Sequence, residues 1–185
     1  MNRPEMREDI RLVWRFKHGS EEALCRIYEK YNKDMLGLAI ALSNNKNVAE
    51  DVVHDVFVSF AESVERIELK SNLRGYLLAC VANHLRNLQR VKPQRMISEE
   101  IVESLSSQSD RPDNIIMAEE ISQRIKNAIA HLPYEQQEVV IMHLQSELKF
   151  KEIAKAQSVS VSTVQSRYLY GLRKLRSLLN SEIEK

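Results

Sequence analysis

Phe150-Lys151-Glu152-Ile153-Ala154-Lys155-Ala156-Gln157, then Ser158-Val159-Ser160, then the long run from Val161 to Arg176, is the stretch that decides the fold. The first piece reads as a short helix with Ile153 and Ala154 apolar. The middle piece is a tight connector. Ser160 suits the cap of the helix after it, because its hydroxyl can accept from the free amides of the next turn. Beyond it, Val161, Val164, Tyr168, Leu172, Leu175 and Leu179 recur at steps of three and four, which is one apolar stripe on a helix. Ser162, Gln165, Ser166, Leu169, Tyr170, Arg173 and Arg176 fall on the other face. Short helix, turn and second helix form the helix-turn-helix pattern, whose second helix enters the major groove of DNA.

The charge of this stretch agrees. Between Lys149 and Arg176 the basic residues are Lys149, Lys151, Lys155, Arg167, Arg173, Lys174 and Arg176, against the single acid Glu152. A basic patch of this kind is the footprint of phosphate contact. The competing reading is an ordinary helical hairpin with a solvated basic face.

Working back toward the N-terminus, Pro133–Leu144 supplies Val139, Val140, Met142 and Leu144 to one helix, and Pro133 suits its first turn. Met117–His131 forms another, with Ile121, Ile125, Ala128 and Ile129 apolar. Residues 97–117 are rich in Ser, Asp and Glu, the composition of a flexible acidic tether. Pro93 closes an earlier domain. Its last helix, about Leu73–Val91, turns Leu73, Tyr76, Leu77, Cys80, Val81, Leu85 and Leu88 inward. Asn83, Arg86, Asn87 and Arg90 lie on its polar side. From Arg74 to Arg95 there is no acid, and Arg with Asn suits nucleic acid, since Arg holds phosphate and Asn reads base edges. A solvated basic face is the alternative.

Three more helices precede it. Residues 7–17 are amphipathic, and His18-Gly19-Ser20 breaks them, with Ser20 capping a helix over about Glu21–Leu42. Ala23, Leu24, Ile27, Tyr28, Tyr31, Met35, Leu38, Ala39 and Leu42 line one side of that helix. Asn47 followed by Glu50 resembles a capping box opening the next helix, about Val48–Ile67. It carries Val52, Val53, Val56, Phe57 and Phe60. It also bears Glu50, Asp51, Asp55, Glu62, Glu65 and Glu68 against Arg66 alone. The apolar band is broader than one face needs, which leaves two readings: a partner surface with an acidic rim, or a helix buried between two neighbours. Leu69-Lys70-Ser71-Asn72 is a loop, with Ser71 or Asn72 as the following cap.

Composition sets the bounds. The chain has 185 residues, 29% charged, with four glycines and four prolines, which favours a helical protein of one or two domains. Its net charge of +1 argues against a general polyanion binder; the charge is segregated instead. Cys25 and Cys80 read as small buried apolar residues of a reducing compartment. The N-terminus lacks the apolar core of a signal peptide, and no apolar run approaches the roughly 20 residues of a membrane span, so no membrane insertion and a cytoplasmic location are expected. His18, His54, His84, His131 and His143 are scattered, with no metal-ligand spacing, no phosphate loop and no nucleophile elbow. No catalytic residue, metal or cofactor is expected. Asp51 and Asp55 could share a cation, but an exposed acidic edge is the simpler reading.

Several separate stretches resemble one family. Val48-Ala49-Glu50-Asp51-Val52-Val53-His54-Asp55-Val56-Phe57 is similar to the core-polymerase-binding helix of bacterial sigma factors. Asn72 to Asn87 resembles their helix for the downstream (minus ten) promoter element. Leu132 to Val140, Phe150 to Ala154 and Ser160 to Arg167 resemble their domain for the upstream (minus thirty-five) element. Two domains with only a linker between them are the plan of the extracytoplasmic-function subgroup. The resemblance implies an all-α fold, with residues 7–95 as region 2, residues 96–117 as a flexible linker, and residues 118–183 as region 4 with the helix-turn-helix. It further implies that Asp51, Val52, Asp55 and Phe57 dock on the beta-prime clamp of core RNA polymerase. Tyr76, Asn83, Arg86, Asn87 and Arg90 would serve the downstream element, with Asn83 near a flipped base. Ser162, Thr163, Gln165, Ser166, Leu169 and Tyr170 would face the upstream element, with Arg167 and Arg173 near phosphates. An anti-sigma factor is a partner the family implies and no residue specifies. Departures from the family pattern include Ser158 where Gly is frequent, Lys149 for a Ser cap, and Tyr170 and Leu172 where Arg is common. A helix-turn-helix regulator acting without polymerase is the rival reading, and a helical interaction protein that touches no DNA is another.

Overall fold

The computed structural model describes residues 3–67, 72–91 and 113–183. They hold eight α-helices, one 3-10 turn and no strand. The chain divides into two compact units, Met1–Glu100 and Ile101–Lys185. An all-α fold is what the periodicity predicts. Of the expected linker, residues 96–112 lie outside the described residues, as do Ser71 and Arg95.

In the first unit, α1 spans Arg3–Lys17, α2 Glu21–Ser43, α3 Lys46–Ser63 and α4 Leu73–Val91, with a 3-10 turn at Val64–Arg66. Helix α2 packs on α1, α3 and α4. Ile27, Met35, Leu38, Val52, Leu73, Leu77, Leu78 and Leu85 are fully buried among them. The break between α1 and α2 works as expected: the Ser20 hydroxyl accepts from the Ala23 amide, and Gly19 takes φ +88°. The break before α3 does not. Asn45, rather than Asn47, is the cap; its side-chain oxygen accepts from the Val48 amide at 3.1 Å. Asn44 at φ 50° ends α2, so only one extended residue separates the two helices. Asn tolerates that left-handed conformation better than most residues. The C-terminal end of the acidic helix also differs. It tightens into the 3-10 turn after Ser63, and Lys17 donates to the exposed carbonyls of Glu65 (3.3 Å) and Ile67 (2.8 Å). A cation at such carbonyls satisfies groups that a helix end leaves bare.

One buried charge organises the α1–α2 contact. Asp9 is 2% exposed, and its Oδ1 accepts from Lys30 Nζ (2.9 Å) and from the Tyr31 hydroxyl (2.6 Å). Burial alone would lower the Lys30 pKa. Hydrogen bonds to Asp9 and Glu8 outweigh it and hold the ammonium above its ordinary value. Burial, then Asp9, raises the Tyr31 phenol.

In the second unit, α5 spans Asp113–Ala130, α6 Tyr134–Leu144, α7 Phe150–Gln157 and α8 Val161–Ile183. Helix α5 starts before the expected Met117, so residues 113–117 are helical; this run has neither glycine nor proline to stop it. Pro133 sits at the cap of α6 instead of inside its first turn. Helix α8 packs on α5, α6 and α7. Gly171 permits the close crossing of α8 over α6, since a Cβ there would stand 3.0 Å from the Val140 side chain. The rings of His143, Phe150 and Tyr168 pack together at centroid distances of 4.3, 4.9 and 5.3 Å and join α6, α7 and α8.

Candidate nucleic-acid interface

Helix α7, the Ser158–Ser160 turn and α8 are the elements the sequence predicts. Ser158 terminates α7 at φ 53°, and its amide bonds back to carbonyls of α7. A left-handed residue at this point is most easily Gly, which explains the glycine frequent at this position in the resembling family. At the start of α7 the Glu152 carboxylate accepts from the Lys149 amide at 2.8 Å, so the helix is capped although Lys149 has no acceptor of its own. Ser160 caps α8: its hydroxyl accepts from the Thr163 amide at 3.1 Å and meets the hydroxyls of Ser162 and Thr163 at 2.8 Å.

The faces of α8 divide as the spacing requires. Val164 is fully buried and Leu175 8% exposed, with Tyr168, Leu172 and Leu179 packed beside the latter. Ser162, Gln165, Ser166, Leu169, Tyr170 and Arg173 are exposed, and Thr163 is half-buried. Leu169 and Tyr170 remain 55% and 59% exposed, so two apolar side chains stand in water without a role in the core. The Arg173 guanidinium lies 5.9 Å from the Tyr170 ring centroid, a cation–π distance. Arg167 departs from expectation. It is half-buried and donates to Gln157 Oε1 at 2.7 Å, tying α8 to α7, so part of its guanidinium is committed within the unit.

On α4, Asn87 and Arg90 are exposed, while Tyr76, Asn83 and Arg86 are half-buried. Arg86 donates to Asn83 Oδ1 at 2.8 Å, so the Asn83 oxygen is committed within α4. Tyr76 packs near Phe60 (6.4 Å between centroids), and burial pushes its phenol up to about 12, so it stays neutral. Arg74, at the start of the acid-free run, is paired with Asp34 of α2.

On α3, Asp51 and Asp55 are exposed, and Asp55 Oδ2 lies 3.5 Å from His84 Nε2 of α4. Val52 is fully buried and Phe57 only 7% exposed. Val52 therefore belongs to the core, and its side chain offers no surface of its own. Phe57 differs, because it forms part of a groove of about 400 Å³ between α2 and α3, with Leu24, Cys25, Tyr28, His54 and Val58. Tyr28 and Val58 are 45% and 42% exposed. The five apolar residues of the α3 band, Val52, Val53, Val56, Phe57 and Phe60, are all buried with α2 and α4 beside them, the second of the two readings; Val58, outside that band, is the exposed apolar residue α3 gives to the groove. The exposure of Tyr28 and Cys25 on α2 carried no signal, and both were expected inside. Among the described residues no cluster of acids, histidines and cysteines has metal-binding geometry, and no helix is long and apolar enough to cross a membrane.

Residues 27–92 match the family model for sigma-70 region 2, and residues 122–175 match that for sigma-70 region 4. The extracytoplasmic-function (ECF) RNA polymerase sigma factor SigX of Bacillus subtilis is 26% identical over 173 residues, covering 88% of each chain. SigW of the same organism is 23% identical over 172 residues, covering 88% of this chain and 92% of SigW. Among solved structures, CnrH in complex with the cytosolic domain of CnrY has a TM-score of 0.71 at 19% identity, covering 94% of this chain and 98% of that one. The sigma factor RpoE of Bartonella quintana, in complex with the anti-sigma factor NepR, has a TM-score of 0.64 at 22% identity, covering 84% and 95%. The chain belongs to the sigma-70 family of RNA polymerase sigma factors, in its extracytoplasmic-function subgroup.

Proposed function

We propose that the chain, a sigma factor without catalysis of its own, acts in the cytoplasm through three faces. The acidic edge of α3, with Asp51, Asp55 and the Phe57 groove beside it, docks on the clamp of core RNA polymerase. The Asn83, Arg86, Asn87 and Arg90 side of α4 engages the downstream promoter element as it opens. The Gln165, Ser166, Leu169, Tyr170 and Arg173 side of α8 reads the upstream element, where Leu169 suits a thymine methyl and Gln165 an adenine. The observation that carries this reading is the exposure of Asp51 and Asp55 on α3, of Asn87 and Arg90 on α4, and of Gln165, Ser166, Leu169, Tyr170 and Arg173 on α8. A regulator with a sensor domain has no need of the first of these faces.

Anti-sigma factors are a second class of partner. NepR, named as one, and CnrY accompany the two similar structures, and the apolar α2–α3 groove offers such a partner an anchoring surface. Reversing charge at Asp51→Lys and Asp55→Lys is expected to weaken capture of core polymerase by roughly tenfold or more, given that like-for-opposite charge exchange at an interface costs on the order of 1–2 kcal/mol or above. An unchanged affinity with retained helicity rejects this docking face.

A further inference from the structure

We infer that the outer face of α1 is a stacking surface for unpaired nucleic acid, with Trp14 as its platform. The inference rests on the reading of the chain as a promoter-opening factor and gives the separated strand a place on it. Arg7, Arg11, Trp14 and His18 follow one another at steps of four, three and four, so they share one stripe of α1. Trp14 is 58% exposed, although it belongs to a helix whose neighbouring Leu12 and Val13 are buried. The His18 ring lies 4.1 Å from the Trp14 ring with the planes 31° apart. The Nδ1 of His18 sits 2.8 Å from the Trp14 carbonyl, which fixes the imidazole in that position. An indole backed on one side and open on the other is a place for one more flat ring.

Basic side chains predominate around it. Arg7 and Arg11 are exposed and form no ion pair among the described residues. Of the acids between them, Asp9 is buried on Lys30 and Tyr31, while Glu8 is held mainly by Lys30 and also feels Arg11. Lys17, by its bonds to Glu65 and Ile67, fixes this end of α1 beside the turn that follows α3. Basic side chains interleaved with an aromatic plane are the composition of a single-strand site, because phosphate meets the cations while the base meets the ring. A duplex hides its base faces in the stack and offers the indole only edges. An anionic lipid surface fits less well, since Met6 and Ile10 are only 44% and 43% exposed and the other apolar side chains of α1 face the core.

Trp14 is the only tryptophan of the chain, so its emission reports on this site alone. The full chain is titrated with a single-stranded oligodeoxynucleotide, with a duplex of the same sequence, and with vesicles rich in anionic lipid. Single strands are expected to quench Trp14 by about half, at concentrations that rise with salt, while duplex and vesicles leave it nearly unchanged. Arg7→Glu with Arg11→Glu is expected to raise the half-saturating concentration roughly tenfold without moving the melting temperature. Quenching by duplex as strong as by single strands, a response to vesicles alone, or no response at all overturns the inference. Capture of core polymerase, measured separately on the same protein, reports on the parent reading, so the two fail independently.

Discussion

At the scale of single residues, two kinds of position behave differently. Asn83 and Gln165 were legible because each stands on the polar side of a strongly periodic helix, and the structure leaves Gln165 exposed and Asn83 half-buried with its oxygen on Arg86. Asn83→Ala is expected to slow open-complex formation while core capture is retained; equal rates of permanganate-detected melting would reject its role. Asp9 was not legible. Its partners lie 21 and 22 residues away, and no spacing rule links a lone Asp on one helix to a Lys–Tyr pair on the next. Removing Lys30 strands a buried carboxylate, so Lys30→Met should cost on the order of 2 kcal/mol, a discounted figure because Lys30 keeps some access to water. The pH dependence follows from the raised Lys30 pKa. A cation whose folded pKa exceeds its unfolded value of about 10.4 contributes fully below that value and loses the contribution as pH rises beyond it. Denaturant melts of wild type should therefore weaken above that pH, and those of Lys30→Met should weaken less. Identical alkaline limbs would contradict the pairing.

Helix existence was read correctly at the scale of elements, whereas the ends moved by a few residues. The reason is visible at Asn45 and Asn47. Both are competent caps, and the choice fell to the one that follows a left-handed Asn44, a backbone event that no side-chain pattern announces. Similarly, the apolar band of α3 leaves two readings open until α2 and α4 are in place around it; all five of its side chains are then buried, and of them Phe57 alone also borders the groove. Ser158 offers the test at this scale. A non-glycine residue at φ 53° carries strain of about 1 kcal/mol, so Ser158→Gly should stabilise the second unit by roughly 0.5–1 kcal/mol in a thermal melt. A loss of stability would mean that the serine side chain does something at the turn that glycine cannot replace.

For the molecule as a whole, segregation of charge matters more than its sum. A net charge of +1 hides an acidic α3 and basic faces on α4 and α8. General binding to DNA is largely electrostatic, so a nearly neutral chain is a weak coat for DNA, and in the proposed reading its selectivity comes when polymerase brings both basic faces to one promoter. Association through two linked modules raises effective concentration without a new contact. The division into two helical units is legible in the order and spacing of the matching stretches; the groove on α2 and the exposed Trp14 are not, because each depends on which side of a helix its neighbours leave bare. The most direct measurement is transcription from a randomised promoter library by core polymerase, with and without the purified chain. The chain is expected to capture core and to enrich transcripts sharing one pair of spaced elements, an enrichment lost from the upstream element on Gln165→Ala. Failure to bind core, or a transcript pool the same with and without the chain, would contradict it.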